Sequence, residues 1–368
     1  MSAAPIELPR WADYVLVPAL AVAAAFVIAG LVVLAIGENP LESTAILLRG
    51  ALATGEGVGF TLYYATNFIF TGLAVAVAFH AGLFNIGGEG QATLGGLGAA
   101  LVCLQFESLP GWLLVPLGAL SAAAFGALWA LVPGYLQAKR GSHIVITTIM
   151  FNMLASALLV YLLVNVMGRP GSMSPETRTF VPAAHVPFLH EILARFGVVI
   201  PTTPLNGSFV LALAAAFGVW LLIWRTRLGY AIRTVGANPS AAVYAGISIS
   251  RITMIAMMIS GGLAGLLAVN EIMGVQDRLL LEFTGGYGFI GIAVALMGRS
   301  HPVGIVLASL LFGVLYQGGT ELAFDKPAIT RDMIVTISGL VILFAGALDG
   351  VFRAPLGRFF ASRRRGDA

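Results

Sequence analysis

The residues best suited to chemistry lie between Phe79 and Gly98, in the stretch FHAGLFNIGGEGQATLGGLG. Asn85, Glu89 and Gln91 stand there within or beside apolar sequence, together with Gly82, Gly87, Gly88, Gly90, Gly95 and Gly96. Amide and carboxylate groups in such surroundings can hydrogen-bond a polar solute. An acid at membrane depth faces a bundle interior or water and marks a functional position. Each glycine weakens a helix by roughly 1 kcal/mol relative to alanine, and unwound backbone survives in a membrane only where protein or a cavity satisfies it. The stretch therefore reads as a broken helix at a pathway or gate, with Asn85, Gly88, Glu89 and Gln91 as its candidate residues. A second reading places Glu89 near the cytoplasmic interface, where its charge caps a helix N-terminus. Asn67, Thr147, Thr148, Asn152, Asn270 and Glu271 are further polar groups inside apolar runs. Such groups usually join helices to one another; Asn152 is grouped with the pathway candidates.

Other chemistry finds no support. Gly286, Gly288 and Gly291 spell GxGxxG, but a dinucleotide site needs a preceding strand, an amphipathic helix and an acid about 20 residues on. Here the flanks are membrane-apolar, so these glycines point to close helix packing or a broken helix. There is no GxxxxGK[ST] phosphate loop and no HExxH, the five histidines lack metal-ligand spacing, and Cys103 is the one cysteine. The expectation is a chain that is not an enzyme and holds no cofactor or metal.

A third unusual stretch, Arg225–Arg251 (RTRLGYAIRTVGANPSAAVYAGISISR), is basic and lacks any acid. Asn238 is a good N-cap, Pro239 suits the first helical position, and Gly246 suits a left-handed C-terminal stop. The spacing predicts a short helix over 239–245. Two turns are not stable alone in water, so something must hold them. The stretch either docks on a soluble partner or is a basic loop that only fixes topology.

These stretches are set among elements that composition defines. The 368-residue chain is 58% hydrophobic and 10% charged, with mean hydropathy +0.93 and 45 glycines. Soluble domains carry about 25% charged residues, so the chain is expected to be all-α: a polytopic helical membrane protein forming a single transmembrane domain over 1–368. Runs long enough to cross a bilayer fall at about 13–36, 59–79, 86–106, 111–136, 144–166, 207–224, 252–273 and 331–350. Two shorter runs within 286–320 are separated by GRSHP at 298–302. That makes about ten transmembrane helices. The first run is too long for a signal-peptide core. With both termini cytoplasmic, thirteen of the 20 Lys and Arg residues lie inside, as the positive-inside rule favours. The 225–251 loop and the basic tail 351–368 are then cytoplasmic. The proline-rich segment 167–206 is external, with a short surface helix near 188–196, and a smaller external segment covers 37–57. Both could meet an external partner or simply connect spans. The basic residues are spread over short loops and one tail, so the pI near 9.2 does not indicate nucleic-acid binding. A faint repeat relates GLAVAV at 72–77 to GIAVAL at 291–296, and duplicated halves are common in transporters.

Four stretches carry a resemblance to a known family: AGLFNIGGEGQ at 81–91, HIVITTIMFN at 143–152, GANPSAAVYAGI at 236–247 and GYGFIGIAVALMGRSHPVGI at 286–305. In them the chain resembles the permease subunit of bacterial ABC importers for branched-chain amino acids, simple sugars and nucleosides. It is most similar to the larger permease of nucleoside-type systems. The resemblance implies that 236–247 is the coupling helix, with Gly236, Asn238, Pro239, Ala242, Tyr244 and Gly246 at the ATPase contact. It also implies a cytoplasmic ATPase with nucleotide-binding domains, a second and shorter permease in a heterodimer, an external substrate-binding protein, and a multi-pass location in the inner membrane. Many relatives carry an acid where Ile144 stands. A nucleoside is the expected solute, with a simple sugar and then a branched-chain amino acid as alternatives. An ion-coupled secondary transporter is the competing class, with Glu89 as its one fair ion site.

Overall fold

The computed structural model describes residues 16–169, 171 and 173–330, with isolated positions 9, 12, 333, 336, 337, 339, 340, 355 and 356. Among the described residues regular structure is helical, and extended pairing is confined to the isolated bridges Glu176–Leu280 and Phe188–Asn206. The α-helices are α1 (Val17–Ala35), α2 (Pro40–Leu52), α3 (Gly55–His80), α4 (Gly88–Gln105), α5 (Gly111–Arg140), α6 (Ile144–Asn165) and α7 (Leu189–Ala194). They continue with α8 (Ser208–Arg225), α9 (Arg227–Ala237), α10 (Pro239–Tyr244), α11 (Ile249–Gly265), α12 (Leu267–Glu271), α13 (Tyr287–Met297) and α14 (Pro302–Asp325). A π-helical turn, Ile272–Gln276, follows α12.

Ten spans were expected. Six stretches among the described residues are long and apolar enough to cross a membrane: 55–80, 111–140, 144–165, 208–225, 249–276 and 302–325. A bent pair, Ala19–Ala35 with Pro40–Leu52, makes a seventh if counted as one broken span. The expected span at 86–106 does form a helix, α4, but its glycines, Glu89 and Gln91 dilute its hydropathy. The first of the two runs in 286–320 is α13, only eleven residues long. The last expected span, 331–350, and the tail 351–368 lie outside the described residues except at isolated positions.

The chain falls into two compact units, Thr54–Gly313 and Met1–Ala53 with Val314–Ala368. In the smaller one, the expected connector 37–57 is largely helix. Asn39 Oδ1 accepts from the amides of Leu41 (3.0 Å) and Glu42 (3.4 Å), Pro40 stands at the first helical position, and α2 turns back from α1 with a bend of 118°. Lys326, beyond the end of α14, reaches Glu38 (3.2 Å) and Glu42 (3.1 Å), and those hydrogen bonds raise its pKa.

In the larger unit α3 is buried along most of its length. Around it, α4, α5 and α11 close on one another at glycines. A Cβ at Gly126 would overlap the Gly261 carbonyl, and one at Gly95 would lie 2.5 Å from the Gly265 Cα. With no aqueous driving force between helices in lipid, such backbone approaches supply the dispersion contact that holds spans together. The two repeat segments also pack together: a Cβ at Gly72 would press on Val294, and one at Gly291 on Thr71.

Candidate functional site

After α3 ends at His80, the chain doubles back alongside it. Gly82 turns with φ +72°, and the segment 83–87 returns along α3. Asn85 Nδ2 donates to Ser260 Oγ (2.8 Å), which itself donates to the Ala74 carbonyl (2.6 Å). By Gly88 the chain faces Gly288, which lies one residue beyond Tyr287, and the Tyr287 ring meets Phe68 edge-on at 5.5 Å. Phe68 stands about 18 Å up the helix from His80 at 1.5 Å per residue. The start of α4 is therefore near the middle of a span. Glu89 therefore stands level with the middle of α3 rather than with its His80 end, and the glycines make room for the loop before it.

Three hydrogen bonds fix the Glu89 carboxylate. Thr284 Oγ1 donates to Oε1 (2.5 Å), the Gly286 amide donates to Oε1 (2.9 Å), and the Gly288 amide donates to Oε2 (2.8 Å). The last two are backbone donors at the start of α13, donors that no preceding turn can satisfy. Glu89 also lies in the first turn of its own helix, α4. Two helix N-termini thus converge on one carboxylate. Each carries roughly half a positive charge, so a single negative charge balances the pair. Glu89 thus caps the start of α13, while in α4 it stands in the first turn and makes no capping bond to its own helix. At 1.5 Å per residue α13 runs for about 16 Å, half of a hydrocarbon core of about 30 Å. At its far end the Ser300 carbonyl lies 3.0 Å from His80 Nε2. The GxGxxG glycines serve this break. Gly286 takes φ +79°, Gly288 abuts the Glu89 backbone, and Gly291 abuts Thr71.

The other polar candidates hold the loop. Asn85 and Gln91 exchange two hydrogen bonds (2.9 and 3.1 Å), and Asn85 Oδ1 also accepts from the Gly87 amide (2.9 Å). Asn152 on α6 accepts from the Gly90 amide and donates to the Ile86 carbonyl, both at 2.9 Å. All three are buried. Their side chains are occupied by protein partners, so they shape the re-entrant turn rather than offer free donors to a solute.

The basic stretch contains two helices where one was expected. The short one is α10. Asn238 Oδ1 accepts from the Ala241 amide (3.1 Å), Pro239 opens the helix, and Gly246 has φ +73°. Ahead of it, α9 was missed, although Leu228, Ala231, Ile232 and Val235 keep helical spacing and Thr226 caps the Gly229 amide (3.0 Å). Ala242 is fully buried, so it cannot belong to an outward docking face; Pro239, Val243 and Tyr244 point outward, Tyr244 at 94% exposure. Gly236, in the last turn of α9, meets the turn after α3. A Cβ there would overlap the His80 carbonyl oxygen and approach the Gly82 nitrogen at 2.8 Å.

A second polar cluster lies nearer the start of α3. Tyr63 Oη and Asn67 Nδ2 donate to Glu271 Oε1 (2.7 and 2.5 Å), and Asn270 donates to Asn67 Oδ1 (2.9 Å). Ser208 Oγ and Asn206 Nδ2 complete it on Asn270 Oδ1 (2.7 and 3.1 Å). Glu271 is therefore more deeply embedded than Glu89, which sequence reading had ranked first. Nothing in the local sequence showed that Tyr63 and Asn67, both on α3 and more than 200 residues away, would bring it hydrogen bonds.

In the segment 167–206 the expected short helix is α7, preceded by a 3-10 turn at Pro182–Ala184. This segment packs on the chain that follows the π-helical turn. His185 Nδ1 pairs with Asp277 Oδ1 (2.9 Å), Phe180 N donates to the Asp277 carbonyl (2.7 Å), and Arg278 pairs with Glu176 (3.5 Å). The hydrogen bond to Asp277 raises the His185 pKa against a smaller opposing effect of burial.

Residues 57–346 match the family described as "Branched-chain amino acid transport system / permease component". The glucose ABC transporter permease protein TsgB13 of Haloferax volcanii is 35% identical over 98% of this chain and 94% of its own length. The guanosine ABC transporter permease protein NupP of Bacillus subtilis is 34% identical over 91% of this chain and 94% of its own. The nucleoside ABC transporter permease protein NupB of Lactococcus lactis is 32% identical over 90% of each chain. No solved structure matches.

Proposed function

This chain belongs to the family of permease components of branched-chain amino acid-type transport systems, and on that premise we propose how it works as an ABC importer permease of the inner membrane. The solute is a nucleoside, as the names of NupP and NupB suggest by similarity. A simple sugar is the second reading, favoured by the similarity to TsgB13. The chain contributes the route and a partner ATPase contributes the energy. A second, shorter permease completes the membrane core, and a substrate-binding protein delivers the solute from outside.

The observation that carries the pathway assignment is the carboxylate of Glu89 bridging the starts of α4 and α13 at mid-span. Broken helices meeting near the bilayer midplane are where transporters place their routes. The clasp closes the route: Glu89 holds α13 against α4, Gly88 leaves no side chain between them, and Asn85, Gln91 and Asn152 keep the turn rigid. The chain completes ten spans with both termini cytoplasmic. The segment 167–206 is external, 225–251 carries the coupling helix α10, and 351–368 is a cytoplasmic basic tail. Gly236, Asn238, Pro239 and Gly246 shape the coupling element, Ala242 seats it, and Tyr244 makes the contact with the ATPase.

Uptake by cells or proteoliposomes of labelled guanosine, other nucleosides, glucose and leucine tests the assignment. Uptake of a nucleoside that needs ATP and the ATPase is the expected result. Uptake driven by a proton gradient with ATP absent would replace it with the secondary-transporter reading.

A further inference from the structure

We infer that the contact of Gly236 with the His80–Gly82 turn is a rigid joint through which α10 moves the Glu89 clasp; the inference rests on the coupling and pathway assignments above. Three features place the joint there. First, it is backbone against backbone. The ideal Cβ position at Gly236 overlaps the His80 carbonyl oxygen and lies 3.0 Å from the Ala81 carbonyl carbon, and the one at Gly82 lies 3.2 Å from the Gly236 Cα. A contact without side chains cannot absorb a displacement by changing rotamer. Second, it is short in sequence on both sides. Gly236 is two residues before Asn238, the residue that caps α10. Gly82 is six residues before Gly88, where α4 begins.

Third, the segment between joint and clasp is braced. Asn85 ties it to Ser260 and Gln91, and Asn152 ties it to α6. A push on Gly82 therefore reaches Glu89 as a shift of the whole turn. Glu89 in turn holds the amides of Gly286 and Gly288 and the hydroxyl of Thr284. The segment that leads into α13 has positive φ at Glu282, Gly285 and Gly286, a conformation that costs an L-residue such as Glu282 of order 1–3 kcal/mol. The clasp thus holds the end of a segment that is already strained. Gly236 and Gly82 are positioning residues: they touch no solute and set where the clasp stands.

The test uses the transporter purified with its ATPase, in a Cys103→Ala background, with a nitroxide attached through Phe289→Cys. Phe289 lies on α13, is 47% exposed and has no part in the clasp. Vanadate trapping of ATP is expected to change the label's mobility when residue 236 is glycine. With Gly236→Ala, the spectral change per trapped complex is expected to fall to less than a fifth of its size. Gly82→Ala, tested separately, is expected to act in the same direction. An unchanged spectral response in Gly236→Ala overturns the joint, because the clasp then moves without it. Loss of trapping or of ATPase binding in both glycine variants also overturns it, by making these positions mere requirements of folding. If the label never responds even with both glycines present, the gate assignment fails instead, a separate outcome from failure of the joint.

Discussion

Glu89 accepts from two backbone amides and a hydroxyl at the start of α13 while lying in the first turn of α4. Glu89→Gln keeps the size but replaces one acceptor oxygen by an NH2 group, leaving a backbone amide unmatched. Hydrogen bonds to a charged group contribute about 1.5–3 kcal/mol, so the closed arrangement should lose roughly ten- to a hundredfold in population. The expected outcome is a leak of preloaded solute from vesicles without ATP, raised at least about tenfold over the unaltered protein. A leak no larger than that of the unaltered protein would remove the clasp from the closed gate. Glu271 is a different case, buried and tied to Tyr63 and Asn67. Glu271→Leu leaves those donors unpaired, and an unsatisfied buried polar group costs about 1–3 kcal/mol. It should lower the yield of folded permease in detergent, while Glu271→Gln, which retains an acceptor, should be milder; equal yields for both would argue against a structural role.

Among the elements, α10 is the one that cannot stand alone. Six residues are too few for a stable helix, and its hold comes from the Asn238 cap and the burial of Ala242. The outward Val243 and Tyr244 are then the free face. Tyr244→Asp is expected to leave the permease inserted but to reduce ATPase copurification at least about fivefold; full copurification would move the docking face elsewhere. Residues 167–206 offer a pH test. His185 faces Asp277 directly, with Glu191 on the same segment and the Arg278–Glu176 pair beside it. Its pKa is raised in the folded state, so the pair contributes fully below the ordinary value of about 6.5 and is lost as pH rises through the raised value. Cleavage within 167–206 by an added protease, on right-side-out vesicles, should therefore increase from pH 6 to pH 8.5. His185→Gln should flatten that dependence, and an unchanged profile in the variant would dismiss the pair as the cause.

The whole molecule has one constraint that no single element reveals, its orientation. Impermeant labelling on intact cells with a permeabilised outer membrane checks it. In a Cys103→Ala background, Met173→Cys, at a fully exposed position, is expected to react and Ser240→Cys is not. The reverse pattern would invert the orientation, and with it the assignment of α10 to the ATPase side.

Much of this was legible in the chain because it is written locally. Low charge and long apolar runs require a helical membrane protein, since lipid offers the backbone no other partner. The cap at Asn238, the proline after it and the glycine at 246 define α10 within nine residues, and the four stretches of family resemblance point to the permease. The depth of Glu89 was not written there. It depends on a loop that climbs back along α3, held by Ser260, Asn152 and Gly288, residues 63 to 199 positions away. The inward turn of Ala242 and the partners of Glu271 are likewise contacts between distant elements. Local sequence specifies periodicity, caps and breaks, because those energies arise within a turn or two of helix. Which break meets which helix end is decided only when the spans pack, because the hydrogen bonds that settle it join residues on different elements.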